Sequence, residues 1–192
     1  MRTFRVLAVG WILGGAVIVL LTAIQPQARA LPMTPEVKVA AVAAAVDPDV
    51  LVPVAGIAAA DLHDNYTQLR GGGTRTHGAI DIMAPRGTAV VAAVDGTVHK
   101  LFTSAGGGLS IYQFDRREEL VYYYAHLDSY APTLREGLFV AQGTVIGYVG
   151  STGNATANAP HLHFAIEVLP PTKEWWKGTP VNPYPVLVGS TQ

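Results

Sequence analysis

"HLHFAIEV", residues 161–168, is the stretch on which the fold turns. Its apolar residues Leu162, Phe164, Ile166 and Val168 share one parity, and His161 and His163 share the other. Side chains of a β-strand point alternately to opposite faces. Read as a strand, the stretch buries four apolar residues and turns two imidazoles the same way. Histidine is a poor filler for an apolar run. The pair is therefore either an exposed polar face or one wall of a metal or proton-transfer site.

The flanking sequence has the same texture. From Leu51 onward, short β-prone runs alternate with Gly/Pro turns: "TAVVAAV" (88–94), "TVHKLF" (97–102), "LSIYQF" (109–114), "LVYYYAHL" (120–127) and "TVIGYVG" (144–150). Asp95-Gly96 between two such runs predicts a hairpin. Gly106-Gly107-Gly108 and the charged stretch Asp115–Glu119 predict two further turns. After residue 50, only "AAADLHDNY" (58–66) has any helical character. The expected fold is all-β: a compact antiparallel sheet domain with a loop-walled groove.

The N-terminus differs. "MRTFR" is basic, Val6 to Ile24 is uncharged and mostly apolar, and "QPQARA" ends in Ala28-x-Ala30. This order predicts a hydrophobic helix over residues 1–30, acting as a cleaved secretory signal or a membrane anchor. The positive-inside rule then places the remainder outside the cytoplasm, in the periplasm or cell envelope. Residues 31–50, with "VKVAAVAAAV" as a possible short helix, read as a tether, and residues 51–192 as the functional domain.

Composition narrows the chemistry. After residue 30 the chain has ten basic and fourteen acidic side chains, without the basic patch of a nucleic-acid binder. There is no cysteine, so a metal must be held by His, Asp or Glu. Besides the 161/163 pair, His77 and Asp81 stand four apart across Gly78 in "THGAIDIMAP", a loop entering a strand. His126 ends the tyrosine-rich run, whereas His63 and His99 read as surface residues. Zinc accepts imidazole nitrogen and carboxylate oxygen, but taken alone the His161/His163 and His77/Asp81 pairs read more readily as exposed polar side chains, and His126 reads equally well either way. Ser151 and Thr152 read as turn residues, and Glu118 and Glu119 as part of a solvated charge cluster.

In combination and order, these elements resemble the lysostaphin-type, or LytM-type, zinc endopeptidases of peptidoglycan. The resemblance runs through "HGAIDIMAPRGTAVVAAVDGTV", "YYYAHLDSYAPTLREGLFVAQGTVIGYVGSTGNAT", "PHLHFAIEV" and "VNPYPVL", roughly Leu51 to Leu187. It implies that His77, Asp81 and His163 hold one zinc ion and that His126 and His161 are the catalytic pair. It further implies a zinc metalloendopeptidase acting on peptide cross-links of bacterial peptidoglycan, with D,D-bonds favoured over glycine bridges. No nucleic acid is implied, and membrane contact would come only through the N-terminal segment. The alternative is a catalytically silent regulator that activates other wall hydrolases. Three positions depart from the family pattern: Ala79, Ala159 and Ala165 replace residues that are usually Gly, Gly and an acid. None removes a ligand. Arg70 matches an arginine that precedes the first ligand in the family.

Overall fold

The computed structural model describes residues 6–12, 15–21, 46 and 49–189. The chain divides into two units, Met1–Met33 and Thr34–Gln192. In the first, strands β1 (Val6–Ile12) and β2 (Gly15–Leu21) pair antiparallel. The helix expected here is thus replaced by a pair of strands. An apolar run rich in Val and Ile satisfies either structure, and periodicity cannot separate them. Among the described residues, no helix is long and apolar enough to cross a membrane. The possible helix at 37–46 lies almost wholly outside the described residues.

The second unit carries β3 (Leu69–Arg70), β4 (Arg75–Thr76), β5 (Ile80–Met83), β6 (Ala89–Val91), β7 (Gly96–Ser104), β8 (Gly108–Asp115), β9 (Leu120–Tyr130), β10 (Phe139–Val140), β11 (Val145–Val149), β12 (His161–Val168) and β13 (Thr179–Val181). A short helix, α1 (Pro183–Gly189), follows. The main sheet runs β10-β7-β8-β9-β11-β6, and every pairing in it is antiparallel. The long strand β9 shares one edge between two partners: Leu120–Ala125 pairs with β12, and Leu127–Tyr130 with β11. The far edge of β12 is likewise split, between β5 and β13.

Alternation works as the sequence implies. Leu162, Phe164 and Ile166 are fully buried, beside Tyr122, Tyr124, Ile111, Ile146 and Ile80. The tyrosines in this core are not orphaned. The Tyr124 hydroxyl accepts from the Ala93 amide (2.9 Å) and donates to Gln113 Oε1 (2.7 Å), while Gln113 Nε2 donates to the Val94 carbonyl (2.8 Å).

Asp95-Gly96 does not make the expected hairpin. Both edges of β6 are already taken, by β11 and by the segment around Val54, so β6 and β7 do not pair. Asp95 instead accepts from the Gln142 amide (2.8 Å) and binds Arg116 (2.9 Å). The turns at 106–108 and 115–119 do form hairpins. The 58–66 segment yields only a 3-10 turn, Ala59–Asp61. Helix α1 went unanticipated: it has two prolines in seven residues and no amphipathic run.

Candidate metal and hydrolytic site

The register of β5 against β12 explains why two distant motifs meet. Asp81 stands directly opposite His163, and Met83 opposite His161. Gly78, at φ +71°, makes the left-handed turn that brings His77 in from the preceding loop. The three candidate ligand atoms form a tight triangle: His77 Nε2 to Asp81 Oδ1 is 3.0 Å, His77 Nε2 to His163 Nδ1 is 3.0 Å, and His163 Nδ1 to Asp81 Oδ1 is 3.2 Å. Among the described residues this is the group able to hold a metal ion.

The donor set fits zinc. His77 Nδ1 donates to the Asn65 carbonyl (3.1 Å), so in the neutral ring Nε2 aims a lone pair at the other two donors. Zinc–nitrogen and zinc–oxygen bonds of about 2.0–2.2 Å give a tetrahedron with edges of about 3.3–3.6 Å, close to the sides of this triangle. Three acceptors that close together repel unless a cation or a proton lies among them. Burial would push the Asp81 carboxyl up, but the adjoining His163 and His77 rings hold it well below the usual carboxylate range. Burial lowers His163, opposed by the bond to Asp81.

Neighbouring side chains hold the triangle. Arg70 Nη2 donates to Asp81 Oδ2 (2.5 Å), leaving Oδ1 for the triangle. Asn65 contacts the wall twice: its carbonyl accepts from His77, and its Oδ1 accepts the Asp81 amide (3.1 Å). Partners of this kind fix ligand orientation. The sequence singled out Arg70 but gave no signal for Asn65.

The other two histidines are held by main chain. His161 Nδ1 donates to the Ala159 carbonyl (2.8 Å), and its Nε2 lies 3.7 Å from Asp81 Oδ1. His126 Nδ1 donates to the Thr152 carbonyl (2.8 Å). His126 sits at φ +62°, a sparsely populated region for a residue with a Cβ. The β8–β9 register slips here: Ile111 faces Tyr124, but Leu109 faces Leu127. The extra residue is a bulge that re-aims one side chain out of the ladder. The His126 ring lies 5.0 Å from that of His161 and 5.6 Å from that of His163. Burial pushes His126 down to about 4, so the ring is neutral near pH 7.

All five residues singled out in the sequence thus converge on one groove of about 390 Å³, walled by Arg70, Gly71 and Arg75 on one side and by Gly106, Gly107 and Asn154–Thr156 on the other. His63 and His99 lie outside it and are exposed. Tyr123 completes the floor, its ring 5.9 Å from that of His163. A Cβ on Gly107 would come within 2.1 Å of the Tyr123 hydroxyl, so only glycine lets the hairpin tip close there.

The chain is similar to known proteins in sequence and fold. A DD-carboxypeptidase/endopeptidase, Mpg, of Neisseria meningitidis serogroup B is 39% identical over 114 residues, covering 59% of this chain and 23% of that protein. The chain therefore spans about a quarter of that relative's length. The structure of a putative glycyl-glycine endopeptidase LytM from Ruminococcus gnavus matches with a TM-score of 0.57 at 30% identity, covering 74% of this chain and 61% of that one. The catalytic domain of lysostaphin from Staphylococcus simulans matches with a TM-score of 0.51 at 32% identity, covering 62% and 81%. The pattern of peptidase family M23 matches residues 75–183, more than half of the sequence and all five groove residues, and the chain belongs to that family.

Proposed function

We propose that the chain is a zinc-dependent endopeptidase that hydrolyses peptide cross-links of bacterial peptidoglycan. The observation that carries this reading is the ligand triangle of His77, Asp81 and His163 with two further imidazoles beside it. Zinc held there would supply a Lewis acid that acidifies water and polarises a carbonyl oxygen. The protein's own groups handle protons. With Nδ1–H committed to the Ala159 carbonyl, His161 presents an accepting Nε2 to the site. We assign it as the base that takes the proton of the attacking water and returns it to the leaving amine. His126, tethered at Thr152 and neutral in the resting site, presents Nε2 to the same space; it would stabilise the oxyanion by taking up a proton from solvent at Nε2 as negative charge develops there and then donating to that oxygen. Its backbone strain fits a catalytic position.

Cleavage of D,D-bonds is the favoured specificity, supported by the similarity to the Neisseria relative. Such a substrate places the domain outside the cytoplasm. We assign residues 1–30 as the export signal or anchor, 31–50 as the tether and 51–192 as the peptidase domain.

The test is digestion of purified peptidoglycan by the zinc-loaded protein, with and without chelator, followed by mass analysis. D,D-linked muropeptide dimers should convert to monomers only when metal is present. Stoichiometric zinc without any cleavage would overturn the reading.

A further inference from the structure

The groove floor does not end at the metal triangle. Ring contacts continue outward from His163 to Tyr123 (5.9 Å between centroids), from Tyr123 to Tyr112 (4.5 Å) and from Tyr112 to Trp175 (4.4 Å). Trp175 then meets both Phe102 (5.3 Å) and Trp176 (5.2 Å). The pairing of β8 with β9 sets the middle of this track by placing Tyr112 opposite Tyr123. Burial falls along it. Tyr112, Tyr123 and Trp175 are half-buried, while Phe102 is 38% and Trp176 58% exposed.

The outer end is a fixed platform. The Leu169 amide donates to the Glu119 carbonyl (2.8 Å), and Lys173 Nζ donates to the Glu118 carbonyl. Gly178 packs so closely on Glu167 that a Cβ would come within 2.3 Å of its carboxyl oxygen. Within the loop, Glu174 accepts from Thr172 (2.7 Å) and Lys177 (2.7 Å). The loop that carries the exposed Trp176 thus also carries hydroxyl, ammonium and carboxylate groups.

We infer that Trp176 and Phe102, backed by Trp175, form a saccharide-stacking subsite that holds a glycan sugar while its stem peptide lies in the metal groove. The inference rests on the peptidoglycan reading above. An exposed aromatic pair continuous with an active-site groove marks recognition more than packing. Stem peptides carry mostly methyl, carboxyl and amino side chains, which cannot cover an indole. A pyranose ring has an apolar C–H face for the indole and a hydroxyl rim for the polar groups of the same loop. The scale also fits. The four ring-to-ring steps from His163 to Trp176 add to roughly 20 Å, which sets the upper limit of their separation, and an extended stem of four or five residues spans about 13–18 Å within that limit.

The test uses the full-length, zinc-loaded chain. A soluble N-acetylglucosamine tetramer is titrated while the indole N–H resonances are followed by NMR. Those of Trp175 and Trp176 should shift saturably. In Trp176→Ala the Trp175 shift should disappear, whereas Trp176→Tyr should retain binding. In parallel, Trp176→Ala should raise KM at least 5-fold on a cross-linked dimer that keeps its disaccharides, leave kcat unchanged, and leave cleavage of the sugar-stripped dimer unaffected. Absence of a saturable shift in the wild type, or equal loss on both dimers, overturns the subsite. Cleavage without sugar binding would remove the inference and leave the endopeptidase standing. Saturable sugar binding without cleavage would do the reverse.

Discussion

The two sets of side chains in the groove are held by different means. In the ligand set, His77, Asp81 and His163 contact one another, the Arg70 side chain holds Asp81, and Asn65 holds His77 through its main-chain carbonyl and the Asp81 amide through its side chain. The second set, His126 and His161, lies beside the first, and each of its rings is fixed by a main-chain carbonyl, of Thr152 and Ala159. The first set depends chiefly on the donor side chains touching one another and is open to point substitution. The second depends on loop conformation, which a distant glycine can disturb. A metal site needs mutually adjusted donors, whereas a proton-transfer site needs the tautomer and direction of one ring at a time.

The sharpest way to break this comparison is to remove one member of each set. His163→Ala or Asp81→Ala should lose bound zinc and activity together, with activity falling at least ~10³-fold because the Lewis acid is gone. His161→Ala should keep its zinc while losing ~10²–10⁴-fold in kcat, the usual range for a general base. Metal analysis on the purified variants decides it. Loss of zinc in His161→Ala with retention in His163→Ala would reverse the assignment.

Weaker substitutions probe the supports. Arg70→Ala frees the outer oxygen of Asp81, and zinc affinity should fall ~10–100-fold in a competition assay with a chelating dye. Unchanged affinity would mean that Arg70 serves the substrate and not the ligand. In the other set, Gly107→Ala must push the 106–108 tip off Tyr123. The Gly107 carbonyl accepts the His126 amide (2.8 Å), so His126 moves with it. A displacement of that order costs ~10²-fold in kcat, with zinc content unchanged. A Gly107→Ala enzyme that loses metal would show that the two sets are not independent.

The ligand set was the more legible in the sequence. Strand alternation turned His163 toward the groove, with His161 of the second set beside it, and Gly78 marked the turn that folds His77 toward Asp81. The backbone-held set was less so. Thr152 read as a turn residue because its contribution is a carbonyl oxygen, which every residue possesses. The bulge at His126 left no mark, since a left-handed residue is betrayed by Gly or Asn and histidine is neither. Asp95-Gly96 misled for the opposite reason. A hairpin pair acts only if the flanking strands have free edges facing one another, and those of β6 were filled by chain distant in sequence. Asn65 lacked any local signal because its value comes from contacts 12 and 16 residues away.

Glu167 offers the gentlest perturbation, since it continues the face of β12 that carries His161 and His163 but has neither kind of support. Burial alone pushes its carboxyl up to about 7 from an ordinary 4.5, beneath Gly178 and close to Tyr66, Tyr112 and Tyr123. Between those two values the folded chain retains a proton that the unfolded chain has released. Stability from this group is therefore undiminished below pH 4.5, is lost as pH rises toward 7, and changes little above that. The total is at most about 3 kcal/mol. Glu167→Gln abolishes the ionisation while keeping the shape. Its unfolding midpoint should match the wild type near pH 4.5 and exceed it by an amount equivalent to about 1–3 kcal/mol at pH 8. Parallel stability curves across that range would show that the carboxylate is solvated in the fold, and that the strand face beyond His163 is open to water.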